Sequence, residues 1–313
     1  MRTTLLPALA ASIALLLASC GGGSVDSQLD PTRIIVFGDG FADIGQAGGR
    51  YTINDGTVNN WTLTLAGEYG NALATSASGG LSYATGNARV NTLPDAAGSS
   101  GHPTVKQQVD TFLASGAPTD TDLVVLAAGT GDVIAEAQAY FSGSETQAQM
   151  LANLAQAGVD LGTQVRRLLA AGAEHIVVVG PYDLGKSAWA VQLDQASLLE
   201  SASTQFNSQF LVSVADLGEN VLYVDAAYYF NLVVASPTTY SLDNATGVVC
   251  TSVDSGAGIG TGISQVNSSL CTSDTLASGI DPSVYLFADR IYFTPVAQRL
   301  FGEYAYGRIR DRW

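Results

Sequence analysis

Four short apolar runs constrain this chain more than any other feature: "RIIVFG" at 33–38, "DLVVLAAG" at 122–129, "HIVVVG" at 175–180 and "VLYVD" at 221–225. Their Val- and Ile-rich residues do not alternate with polar ones, the pattern of strands buried on both faces of a parallel sheet. Helical periodicity fills the gaps. The clearest stretch opens at Ser144-Glu145-Thr146-Gln147, a capping-box pattern. It continues through Leu151, Leu154, Gly158, Leu161, Val165 and Leu168 at gaps of three and four, with a stop at Gly172. Two further helical stretches are expected, over 188–218 and 294–310. Strands alternating with helices imply crossover connections and a three-layer α/β domain. "GLSYA" at 80–84 adds a candidate strand. The region 236–283, rich in Ser, Thr, Gly and Asp, reads as a long surface loop.

At 313 residues, 47% hydrophobic and 13% charged, the chain can bury a large core. Its net charge of −15, with no Lys/Arg run, argues against nucleic acid as a partner because nothing neutralises phosphates. The first residues read as a targeting segment: Arg2, an apolar stretch to Leu17, then Leu17-Ala18-Ser19-Cys20. This resembles the lipobox of bacterial lipoproteins. The resemblance implies a signal peptide over 1–19, acylation of Cys20 and a flexible tether over 20–31; the domain itself would be 32–313. In the same resemblance Gly21 after the Cys favours the outer membrane, so the expected location is the cell envelope and the expected partner a membrane, through the lipid. A plain secretory signal is the alternative. Cys250 and Cys271 flank the Gly/Ser/Thr-rich loop, and in an exported chain a single disulfide closing it is the natural reading. A metal pair is the alternative, with neither histidine near in sequence.

In a doubly wound sheet, ligands bind beyond the carboxyl ends of the strands, near the point where strand order reverses. Three Gly-rich turns follow apolar or aromatic runs here: "FGDG", "YATGNA" and "AAGTGD". Converging glycines permit close backbone approach and present N–H groups, so together they suggest a pocket.

The blocks around these turns resemble the GDSL (SGNH) ester hydrolases. "VFGDGFADIG" is similar to that family's first block, "YATGNARV" to its second, "LVVLAAGTGDV" to its third and "VYLFADRIYFTPVAQRL" to its fifth. "GAEHIVVVGPYDLG", "FNSQFL" and "VLYVDAAYYF" are also similar to stretches between them, and the resemblance runs in order over residues 32–310. It implies a flavodoxin-like three-layer sandwich with a five-stranded parallel sheet, and acyl-ester hydrolysis. Carried over by position, however, the chemistry fails. Gly40 stands at the nucleophilic Ser, Gly131 at the oxyanion-holding Asn and Tyr292 at the catalytic His. Asp289, which the family uses to orient the His, and Gly86, the backbone oxyanion donor, remain; Asp39 and Asp132 match flanking positions.

Glycine has no atom that attacks a carbonyl, and a phenol with an ordinary pKa near 10 is a poor base at neutral pH. The site residues therefore predict a catalytically inactive homologue acting as a binding or scaffold protein, with no cofactor. Free Gly40 and Gly86 N–H groups, and room left by the missing Ser and Asn side chains, would let the residual pocket hold a small acyl or polyol ligand. The alternative is an active hydrolase with relocated groups. His175 opens a buried strand and reads as structural. His102 lies in a loop beside Ser99 and Ser100, a displaced Ser–His pair for which the sequence shows no orienting acid. Convergence of Asp39, Asp132 and Asp289 on a cation is a further alternative.

Overall fold

The computed structural model describes residues 29–313. The expected signal peptide, Cys20 and most of the expected tether lie outside the described residues. All four apolar runs form strands: β1 Arg33–Gly38, β2 Asp122–Ala127, β3 His175–Val179 and β4 Val221–Tyr223. They pair in parallel in the order β1-β2-β3-β4, with Val36 opposite Val125 and Leu123 opposite His175. β2 is buried along its whole length, as its apolar run from Leu123 to Ala127 requires, and the buried Asp122 is paired with Arg33.

The fifth strand is reduced to a single bridge. Ser82 bridges Val36 in parallel, the Tyr83 N–H donates to the Val36 carbonyl at 2.7 Å and the Thr85 N–H donates to the Gly38 carbonyl at 3.1 Å. Ser82 also bridges Thr75, and turns at Gly79 and Asn87, both with positive φ, draw the chain away at either end. The spatial order is nonetheless flavodoxin-like. The 80s segment lies on one side of β1 and β2 on the other, so strand order reverses at β1.

Helices α1 Trp61–Glu68, α2 Val105–Ser115, α3 Thr130–Phe141 and α4 Gln147–Ala170 alternate with the strands, followed by α5 Ala188–Leu193, α6 Ala196–Ser213, α7 Ala226–Ala235 and α8 Pro295–Arg310. Helices α2, α3, α4 and α6 pack together, and α1 packs on α8. An aromatic cluster of Phe41, Trp61, Phe230, Phe293 and Phe301 joins α1, α7 and α8 beneath the first turn. The capping box of α4 is Thr146 with Gln149, two residues later than the sequence pattern suggests, and Gly172 follows the helix at φ +110°. The expected 188–218 helix is two, because Asp194 adopts a left-handed conformation between α5 and α6.

The 236–283 region departs most from expectation. It contains β5 Asn244–Val248, paired in parallel with β6 Tyr285–Phe287, and buries Leu242, Val249, Ile259 and both cysteines. Cys250 and Cys271 are joined in a disulfide with a Cα–Cα distance of 5.8 Å.

Candidate active site

The site stands where β1 ends. Gly38 is a geometric necessity: a Cβ there would overlap the Ala127 carbonyl, and its φ is +154°. The buried Gln108 amide clamps it, accepting from the Gly38 N–H and donating to the Gly38 carbonyl, both at 2.9 Å. Asp39 then folds back. One of its oxygens accepts the Phe41 N–H at 3.0 Å, and the other accepts Thr130 and Gly131 N–H groups at 2.8 and 3.3 Å. Burial raises its pKa to about 7 despite those donors.

All five family positions converge, and the three glycines among them are closely covered by neighbouring atoms. A Cβ on Gly40 would lie 2.5 Å from the Tyr292 hydroxyl oxygen, so that hydroxyl occupies the volume a serine side chain would need. A Cβ on Gly86 would overlap the Tyr51 ring and hydroxyl, and one on Gly131 would overlap the Ala88 carbonyl. The Tyr51 and Tyr292 rings lie 4.8 Å apart. The room expected from the missing Ser and Asn is thus filled by Tyr292 and the Ala88 carbonyl, and Tyr51 covers Gly86. A ligand in this centre would require both rings to move.

The surviving machinery is engaged elsewhere. The Gly86 N–H, expected to be a free oxyanion donor, donates to Asp43 Oδ2 at 2.8 Å. Asp43 also accepts Gly45 and Gln46 N–H groups, which fixes it as a turn-forming carboxylate. Asp289 accepts from the Ile291 and Tyr292 N–H groups at 2.8 and 2.7 Å and from Ser268 N–H at 2.9 Å. Burial pushes its pKa up. Asp289 thus holds the backbone of Tyr292 instead of orienting an imidazole. The Tyr292 hydroxyl is buried without a hydrogen-bond partner among the described residues. Burial, then the nearby Asp39, pushes that phenol well above its ordinary pKa, so it stays protonated.

Asp132 accepts the Val90 N–H at 3.0 Å and lies 3.5 Å from Arg89 Nε; burial raises its pKa to about 6. Each of Asp39, Asp132 and Asp289 thus serves backbone donors. Among the described residues no group of three or more His, Cys, Asp and Glu side chains is placed to hold a metal ion.

His175 does have a structural setting, with Nδ1 3.1 Å from the Asp120 carbonyl and its ring edge-on to Trp313. His102 differs from expectation, because it has an orienting acid. Its Nδ1 is 2.7 Å from Asp95 Oδ2, while the other Asp95 oxygen accepts Ala97 and Ser99 N–H groups. Asp95 precedes His102 by seven residues, and the turn around Gly98 folds it back. Ser99 Oγ accepts the Gly101 N–H at 3.1 Å.

Sequence reasoning missed Tyr51, Asp43, Asp95 and Ser268. Asp43 was legible, since it lies inside the first block. Nothing in the sequence marks Tyr51, which reaches Gly86 from a separate loop.

The family model for GDSL-like Lipase/Acylhydrolase matches residues 34–305. A curated relative, the "uncharacterized protein in trpE-trpG intergenic region" of Pseudomonas putida, is 24% identical over 90% of this chain and 49% of its own length. This chain therefore spans about half the length of that relative. Among solved structures, the M. smegmatis aryl esterase is 16% identical, covering 90% of this chain and 99% of its own, at a TM-score of 0.48. Phospholipase A1 from Streptomyces albidoflavus NA297 is 14% identical, covering 88% and 98%, at 0.46.

Proposed function

This chain belongs to the family of GDSL-like lipases and acylhydrolases, and from that membership we propose that it has lost ester hydrolysis and acts as a binding or scaffold protein, exported and held at the cell envelope by a lipid on Cys20. The observation that carries this reading is the position of the Tyr292 hydroxyl at Gly40. The turn that would present a nucleophile has none, and its place is filled by a protonated phenol. Loss of the nucleophile or the base of such a triad already lowers rates by on the order of 10⁶. Here both are absent, and the backbone donor at Gly86 is held by Asp43.

Turnover of short- and long-chain acyl esters by the purified protein tests the reading. The expected rate is that of the uncatalysed reaction. One observation favours the second reading, an esterase with relocated groups: the 2.7 Å contact of His102 with Asp95 supplies the base and orienting acid of such a site. Turnover abolished by both His102→Ala and Ser99→Ala would establish that reading instead. The anchor is tested separately, by metabolic labelling with a fatty-acid probe. Wild type should be labelled and Cys20→Ser should not; label persisting in Cys20→Ser would refute the anchor.

A further inference from the structure

A concave region away from the family centre shares the loop that carries Tyr51 but none of the five family positions. It is a cleft of about 650 Å³ whose lining includes Ile44, Arg50, Leu63, Gly67, Asn71 and Leu73. That volume falls within the range of small-molecule sites.

Arg50 is fixed at its wall. Its Nε donates to the Ile44 carbonyl at 3.0 Å, and its Nη1 donates to the Thr57 carbonyl at 3.3 Å and Asn59 Oδ1 at 2.6 Å. Asn59 is itself buried and anchored, its Nδ2 donating to the Ile53 carbonyl at 2.7 Å. All three acceptors of Arg50 are uncharged, so its charge is oriented without being neutralised by them. Its Nη2 group makes no hydrogen bond among the described residues. An immobilised guanidinium loses little further side-chain freedom on binding, and its bond to an oxyanion is charge-assisted. Beside it, Ile44, Leu63 and Leu73 supply apolar surface.

We infer that this cleft binds a small organic carboxylate with an apolar body, the carboxylate on Arg50 Nη2 and the body along Ile44, Leu63 and Leu73. A singly charged anion suits the site better than phosphate. The chain carries a net charge of −15, and a second negative charge on the ligand would meet that field with no second cation among the described lining residues to offset it. An inorganic anion would also leave the apolar surface uncovered. The inference goes beyond the loss of hydrolysis and does not depend on it.

Gly67, in the last turn of α1, gives a clean way to test occupancy. A Cβ placed there meets open space, and its helical backbone accepts any side chain. Gly67→Ala should leave the cleft open, whereas Gly67→Trp should fill it. Hexanoate, 1-hexanol and inorganic phosphate are titrated into the full-length protein and followed by saturation-transfer NMR and calorimetry. Hexanoate should bind saturably at one site, with hexanol and phosphate each weaker by about tenfold or more. Arg50→Gln should weaken hexanoate by a similar factor, and Gly67→Trp should abolish binding that Gly67→Ala retains. Circular dichroism and the thermal midpoint establish that each variant is folded; if Arg50→Gln is not, the Gly67 pair decides. Absence of saturable hexanoate binding, unchanged affinity in Gly67→Trp, or phosphate binding as tightly as hexanoate would each overturn the inference.

Discussion

Gly40 and Tyr292 are best understood as a pair. The tyrosine fits because the glycine lacks a Cβ, and the glycine can no longer become serine without displacing a rigid ring. Gly40→Ser should therefore destabilise the protein by about 1 to 3 kcal/mol, the usual cost of overpacking. With Tyr292→His in the background the same substitution should cost much less, giving a clear coupling in a double-mutant cycle of denaturant unfolding. Strict additivity would show that the two side chains do not compete for one volume. Gly131→Asn should be worse than either change, because its Cβ meets the fixed Ala88 carbonyl and not a side chain. Tyr292→Phe addresses the unpartnered hydroxyl. Removing a buried polar atom that makes no hydrogen bond should stabilise by on the order of 1 kcal/mol. A lower unfolding midpoint in Tyr292→Phe would mean that the hydroxyl has a partner.

At the scale of elements, the disulfide-closed segment holds the centre from three sides. Ser268 N–H reaches Asp289, the Cys271 carbonyl accepts Asn54 N–H at 2.8 Å, and the Gly258 carbonyl accepts Asn87 Nδ2 at 2.9 Å. The segment thus ties together the Asp289 turn, the Tyr51 loop and the Gly86 turn. Cys250→Ser with Cys271→Ser should lower stability by about 3 kcal/mol in the chain-entropy account of a 21-residue separation. It should also speed hydrogen exchange at Ser268 and Asn54; unchanged exchange there would show that the segment does not clamp the site. The strands and long helices were legible because burial on both sheet faces and 3.6-residue periodicity leave a local signature. This segment was not, since its order comes from hydrogen bonds to residues far away in sequence, such as Asn54 and Asp289. The site was legible in the same uneven way. Gly40, Gly131 and Tyr292 follow from the pattern of blocks, but Tyr51 over Gly86 and Asp95 behind His102 depend on how loops fold back.

At the scale of the whole molecule, buried carboxylates give stability a pH dependence of definite sign. Burial lifts Asp39 to about 7 and Asp132 to about 6 from an ordinary 3.8, and raises Asp43, Asp183 and Asp289 as well. Between roughly pH 4 and 7 the folded protein thus holds protons that the unfolded chain has released, so stability falls as pH rises through that window. Carboxylates with lowered pKa, such as Asp110 and Asp122, act below it. The thermal midpoint should accordingly be higher near pH 4.5 than near pH 7.5, with a flatter profile in Asp39→Asn. A midpoint that rises across this range would contradict the upward shift of these carboxylates. The central claim, that closure of the family centre has left the protein without a reactive serine and without ester hydrolysis, is tested most directly by the intact mass of the protein after incubation with a serine-directed fluorophosphonate. The account predicts an unmodified mass. A stoichiometric adduct, mapped to Ser99, Ser100 or any other serine, would contradict it.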